Sequence, residues 1–187
     1  MTVHYGPAMT EVSIRPYDPG DRDGVRRTVS AAFHPGNEAD LVELIRDSDQ
    51  YVAEMELVAV VGDGVVGHVM ISGAAIVDET GVASPVAMLS PLAVDPTRQR
   101  QGIGGALVEA VCAIAERRGE PMIVLEGSPT YYSRFGFEPS ASVGITLPLP
   151  DWAPPEAAQV SRLGAYDPSD PRLRGTVRYP PAFEGFE

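Results

Sequence analysis

The chain has 187 residues, 44% of them hydrophobic, a formal net charge of −12 and one cysteine, Cys112. That length suits one well-buried core and is short for two. No apolar run reaches the roughly 18 residues of a membrane span, and the negative charge argues against general nucleic-acid binding. One cysteine permits no internal disulfide, which fits a reducing, cytoplasmic compartment. Met1 to Thr10 lacks the basic start and apolar middle of a secretory signal.

In chain order, Val12 to Arg15 reads as a first strand. Val25, Val29, Ala32 and Phe33 share a helical face, and His34-Pro35-Gly36 ends that helix. Asn37 is placed to cap a second helix carrying Leu41, Leu44 and Ile45. Leu57–Val61 and Val65–Ser72 are β-rich runs around Gly62-Asp63-Gly64, a hairpin signal. Asp78 to Gly81 is a turn, and Val86 to Val94 is a strand that Pro91 interrupts, implying an edge or a bulge.

Asp95-Pro96 stops that strand. A polar loop follows, and then Ile103, Leu107, Ala110, Val111 and Ile114 fall at helical spacing. Gly102 and Gly104 sit where this helix begins. The first N–H groups of a helix lack internal partners and carry the positive end of its dipole, and glycine lets a ligand approach the backbone. Arg98 and Arg100 add positive charge. The stretch therefore reads as a seat for a phosphate or pyrophosphate. It lacks the Gly-Lys-Ser/Thr ending of a Walker loop. A dinucleotide fingerprint wants a glycine where Leu107 stands, although Glu126 lies at about the distance of a ribose-binding acid. That reading is weakened and stays open.

Arg117-Arg118-Gly119 makes a helix C-terminus. Pro121–Leu125 is a buried strand parallel to Leu92–Val94, completing a βαβ unit. A short helix spans about Thr130 to Phe135, and Phe137 starts another strand. Beyond Ala141 proline is frequent, with strands expected at Val143–Leu147, Val160–Leu163 and Gly175–Tyr179. The small, packed Cys112 reads as a core residue. His4, His34 and His68 have no ligand-like spacing, so no metal is expected.

The spacing Gln99-x-x-Gly102-x-Gly104 after a Leu-x-Val strand resembles the acyl-CoA loop of the GCN5-related N-acetyltransferases (GNAT). Tyr132-Ser133-Arg134-Phe135-Gly136-Phe137 is similar to that family's Tyr-x-x-x-Gly-Phe ending, in the Tyr-Tyr-x-Arg-Phe-Gly-Phe form of one branch. The resemblance covers roughly Val12 to Glu138. It implies an α/β (α+β type) acyl-CoA N-acyltransferase fold: a mixed, mostly antiparallel sheet flanked by helices, with a central splayed parallel strand pair. It implies one domain over 1–187, with a core at about 12–140 and a tail of strands and Pro-rich loops at 141–187.

The same resemblance implies acetyl-CoA as donor, held by Leu92, Ala93, Val94, Gln99, Arg100, Gln101, Gly102, Ile103, Gly104 and Gly105. The acceptor is an unidentified amine, and the protein is a monomer or a homodimer. A lysine-like amine has a pKa near ~10.4 and must lose a proton before it attacks, while the departing thiolate benefits from gaining one. By resemblance the Val94 N–H polarises the thioester carbonyl and the Tyr132 hydroxyl serves as acid. The family's usual glutamate is missing from Pro85-Val86-Ala87-Met88-Leu89-Ser90. Glu126, at the end of the next strand, is the candidate base. His68 reads as a satisfied, half-buried strand histidine. The missing strand glutamate keeps an alternative in view, a non-catalytic acyl-CoA-binding sensor or interaction module.

Overall fold

A computed structural model describes Thr2–Val3 and residues 11–184. His4 and most of the leading segment read for a targeting signal lie outside those residues. Two compact units form, and strands β4 (Gly64–Val77) and β5 (Ala83–Val94) run through both.

The first unit takes the described residues up to Ile71 together with Pro91–Ile114. Its strands lie in the order β1 (Thr2–Val3), β2 (Val12–Pro16), β3 (Glu56–Val61), β4, β5. The first three neighbouring pairs are antiparallel. The β3–β4 hairpin turns through Gly62-Asp63, with Val61 opposite Gly64 and Gly62 at φ 58°. Glycine meets that left-handed geometry without steric cost.

A register shift at Ala59/Val60 is a bulge, and the Thr28 hydroxyl donates to the nearby Val65 carbonyl at 2.9 Å. Helix α1 (Arg22–Phe33) buries Val25, Thr28 and Val29, while α2 (Glu38–Arg46) buries Leu41, Val42 and Ile45. Asn37 stands at the N-cap of α2, but its side chain makes no capping bond. Its carbonyl instead accepts from Asp40 N–H at 2.8 Å.

Helix α3 (Ile103–Arg118) packs on the opposite face of the sheet from α1. The evidence is local: a Cβ on Gly67 would press on Leu107, Ile103 and Ala59. Glycine at this strand position lets helix and sheet come close. Ile103, Leu107 and Val111 are buried as the periodicity requires, and Ala106 and Val108 join them, so the packed face is wider than the apolar spacing indicated. The helix ends in a Schellman motif, with Gly119 at φ 78° and Glu120 N–H bonded to the Ala115 carbonyl at 3.1 Å.

The second unit takes Ser72–Ser90 and the described residues from Ala115 onward. Here β5 pairs in parallel with β6 (Met122–Glu126), and β6 pairs antiparallel with β9 (Ala158–Arg162). Strand β7 (Glu138–Pro139) closes on β9. Strand β10 (Gly175–Arg178) pairs antiparallel with β4 and in parallel with β8 (Ile145–Thr146). The late strands anticipated in the Pro-rich tail therefore exist: those expected at Val143–Leu147 and Gly175–Tyr179 are shorter, and the one expected at Val160–Leu163 begins earlier, at Ala158.

Ile76, Met88, Val124, Ile145, Val160 and Val177 pack in one core. Fully burying a side chain of this size contributes about 1.5–3 kcal/mol. The β5–β6 ladder is only Ala87↔Ile123 and Met88↔Val124, although both strands run further. This is the splayed parallel pair, in a mixed and mostly antiparallel sheet flanked by helices. No helix among the described residues is long and apolar enough to cross a membrane.

Candidate active site

Three groups of residues make up the candidate site. The first is the loop between β5 and α3. Asp95 N–H donates to the Val66 carbonyl at 2.9 Å, fixing the strand end. The Asp95 carboxylate accepts from the Thr97 N–H and hydroxyl at 2.8 and 2.6 Å, which turns the chain and holds this carboxyl below the usual range. The Gln99 side-chain amide donates back to the Val94 carbonyl at 3.2 Å.

Arg100 and Gly102 both adopt left-handed backbone, at φ 60° and 85°. Alternation of this kind turns successive N–H groups toward one concavity, the geometry of an anion nest. The first helical bond runs from Ala106 N–H to the Gly102 carbonyl at 3.0 Å. The N–H groups of Ile103, Gly104 and Gly105 thus precede the helical ladder. Leu92, Ala93, Val94, Gln99, Arg100, Gln101, Gly102, Ile103, Gly104 and Gly105 are brought together as one strand end, loop and helix start.

The second group is the corner after β6, within the other unit. Glu126 ends the strand, and one carboxylate oxygen, Oε1, is buried without a hydrogen-bond partner. Burial pushes its pKa up, because no opposite charge offsets the lost hydration. Gly127 follows, held by its N–H to the Ala157 carbonyl and by its carbonyl to the Gln159 side chain. Helix α4 (Pro129–Tyr132) comes next. The Tyr132 ring lies so close over Gly127 that a Cβ there would collide with it. Tyr132 is buried and stacks edge-on against Tyr131 and Phe137, with ring centroids at 4.9 and 5.6 Å. Gly136 reverses the chain at φ 81°, which explains the glycine in the Tyr-x-x-x-Gly-Phe pattern. Glu126 and Tyr132 are thus neighbours on one corner.

The third group was not legible in the sequence. Glu56, at the start of β3, is fully buried. Its carboxylate accepts from the Arg46 guanidinium, from Tyr51 Oη at 2.7 Å, and faces His68 Nε2 at 2.9 Å. Arg46 also donates to Glu43 at 2.8 Å and lies over the Tyr17 ring at 3.9 Å. Burial alone pushes the Glu56 pKa up. The bonds from His68, Arg46 and Tyr51 outweigh it, and the net shift is downward.

His68 departs from the sequence expectation. It is completely buried, and only half satisfied, because Nδ1 has no partner. Burial lowers its pKa, against the opposing pull of Glu56, so the ring is neutral at pH 7. The sequence signal for this group was a glutamate opening an otherwise continuous apolar run. Cys112 is the packed residue it was taken for, with burial pushing its thiol up to about 12.

A splayed parallel pair, with a helix opened at Gly102-Ile103-Gly104 after the first strand, defines an α+β protein. The family model for the acetyltransferase (GNAT) domain matches residues 13–140. The uncharacterized N-acetyltransferase YjhQ of Escherichia coli K12 is 32% identical over 152 residues, covering 80% of each chain. YhbS of the same strain is 33% identical over 175 residues, covering 92% of this chain and 99% of the relative.

Two solved structures superpose closely. The E. coli YhbS complex with CoA has a TM-score of 0.80 at 30% identity, covering 99% of this chain and 98% of the other. A Brucella melitensis GNAT acetyltransferase with acetyl-CoA has a TM-score of 0.72 at 29% identity, covering 94% and 99%. The chain belongs to the GNAT family of acetyltransferases.

Proposed function

We propose that the protein transfers the acetyl group of acetyl-CoA to a primary amine of a small molecule or peptide. The observation that carries this reading is the left-handed Arg100 and Gly102 backbone opening α3 directly after Leu92–Val94. Related structures of the same fold hold CoA and acetyl-CoA, and a pyrophosphate suits this arrangement of N–H groups. Arg100 adds charge at the rim. The Val94 N–H donates to the thioester carbonyl as it gains negative charge, a contribution on the order of 3 kcal/mol.

Glu126 takes the proton released as the C–N bond forms. A desolvated carboxylate with a raised pKa is a stronger base than an exposed one. Tyr132 donates to the thiolate as the C–S bond breaks. The lone Cys112, half-buried and hard to ionise, fits a reducing cytoplasm.

The test is a panel of primary amines assayed for thiol release from acetyl-CoA. The expected result is CoA release that depends on the amine. Acetyl-CoA binding with no release from any amine would instead support the sensor reading, for which the lack of a carboxylate anywhere in Ala83–Val94 speaks.

A further inference from the structure

The buried Glu56 cluster takes no part in the chemistry proposed above, and it contains a ring nitrogen, His68 Nδ1, with nothing to bond. We infer that residues 46–52, the end of α2 and the stretch that follows it, form an acid-sensitive latch: protonation of His68 releases them from Glu56 while the β3–β4 ladder holds.

The two sides of the cluster are anchored differently. Glu56 and His68 belong to β3 and β4, whose ladder pairs Glu56 with Met70, Leu57 with Val69 and Val58 with His68. Residues 46–52 hold on through side chains, the Arg46 guanidinium and Tyr51 Oη, both bonded to the one carboxylate. Their backbone bonds stay local: Asp47 N–H to the Glu43 carbonyl and Ser48 N–H to that of Ile45, both at 3.0 Å, and Tyr51 N–H to that of Ser48 at 3.3 Å. A partly exposed stretch of local bonds opens at lower cost than a strand inside a sheet.

Protonation acts at this junction. Burial works against ionisation of Glu56, but the bonds from His68, Arg46 and Tyr51 keep it ionised. An ionised carboxylate only accepts, so the neutral ring presents Nε2–H to it at 2.9 Å and leaves the lone pair on Nδ1. A further proton must go to Nδ1. A charged N–H left bare in the interior is costly, and water reaches it once the latch lifts. Proton uptake and opening are thus one event, and no channel into the closed core is needed.

The charged and titratable groups around the ring are Glu56 on β3, Arg46 and Glu43 on α2, Tyr51 before β3, Tyr17 after β2, and Arg22 on α1, which bonds Glu43 at 2.7 Å. Burial disfavours the imidazolium, Glu56 favours it and Arg46 opposes it. The balance leaves the closed ring harder to protonate than a free one. The open form therefore takes up the proton first, and acid favours opening. The window lies below the ordinary histidine pKa of ~6.5 and above the range where Glu56, with its lowered pKa, loses its charge.

The test is amide hydrogen exchange of the wild type and His68→Gln between pH 7 and pH 4.5, corrected for the intrinsic pH dependence of exchange. Glutamine can still donate to Glu56 and does not titrate. In the wild type, the opening reported by the Asp47 and Ser48 amides should increase about tenfold for each pH unit below ~6, with the β3–β4 ladder unchanged. In His68→Gln the same amides should not respond. A flat wild type, an equal rise in both proteins, or a rise shared by the ladder overturns the latch. If His68→Gln does not fold, nitrogen NMR of the wild-type ring decides. A bare Nδ1 at pH 7, together with the acid rise, supports the latch, and a proton on Nδ1 at pH 7 overturns it.

Discussion

The glycine loop and the buried Glu56 cluster both lie in the first unit, and they are built in opposite ways. The loop is made of backbone: left-handed Arg100 and Gly102, then N–H groups ahead of the α3 ladder. Its side chains are mostly exposed, and Asp95 and Gln99 bond back to the loop's own backbone. The cluster is made of side chains from four separate elements meeting around one carboxylate with no solvent exposure. A site made of backbone tolerates changes at its rim but not at its glycines. A site made of buried charges fails when any one partner is removed.

The largest effect should therefore come from the cluster. Glu56→Ala leaves the Arg46 guanidinium buried without its main partner, which costs about 3–5 kcal/mol. For a domain of this size that lowers the melting temperature by roughly 10 °C. The sign with pH follows from the depressed Glu56 value. Its stabilisation is full above the ordinary carboxylate range and is lost as pH falls through its lowered pKa. Thermal scans at pH 7 and pH 4 should show the gap between wild type and Glu56→Ala narrowing with acid. A gap that is constant with pH would mean that the carboxylate charge is not what matters.

That cluster also marks what the sequence left hidden. The β3–β4 hairpin, the α3 start and the Gly119 stop were legible because each rests on a local demand that few residues meet. The Tyr132–Phe137 turn was legible for the same reason, with Gly136 at positive φ. Glu56, Arg46, Tyr51 and His68 are separated along the chain and meet only through tertiary packing. No spacing pattern announces such a meeting. His68 looked satisfied because a lone strand histidine usually is, and only the structure reveals the unpartnered nitrogen.

The next effect is chemical. Tyr132→Phe keeps the ring against Gly127 and Phe137 and removes the hydroxyl. The single-turnover rate should fall by ~10²-fold or more, with cofactor affinity nearly constant. The loss should shrink with a donor whose leaving thiol is more acidic. Equal loss with both donors would leave Tyr132 a packing residue.

Smaller still is the effect of Glu126→Gln on stability. Its raised pKa means that the fold favours the protonated acid, so the wild type loses stability as pH rises through that value. Glutamine should be the more stable side chain at pH 7, and the difference should shrink where Glu126 is protonated. Urea denaturation at pH 7 and pH 4 checks it, and a less stable Glu126→Gln at pH 7 would mean that Oε1 has a partner. Catalysis should fall in the same variant, which separates the group's chemical role from its structural cost.

At the loop rim, Arg100→Ala should weaken acetyl-CoA binding only a few-fold, by less than about 1 kcal/mol, because an exposed arginine adds little beside several backbone donors. A loss as large as that from altering a glycine would shift the weight of binding from backbone to side chain.

The most direct test of the account is titration calorimetry of the wild type and Gly104→Val with acetyl-CoA, CoA and NAD. A branched side chain at this helix start crowds the N–H groups that a pyrophosphate would approach. The account predicts that the wild type binds acetyl-CoA and CoA but not NAD, and that a folded Gly104→Val loses both CoA ligands. NAD binding without CoA binding, or unchanged CoA affinity in Gly104→Val, would contradict it.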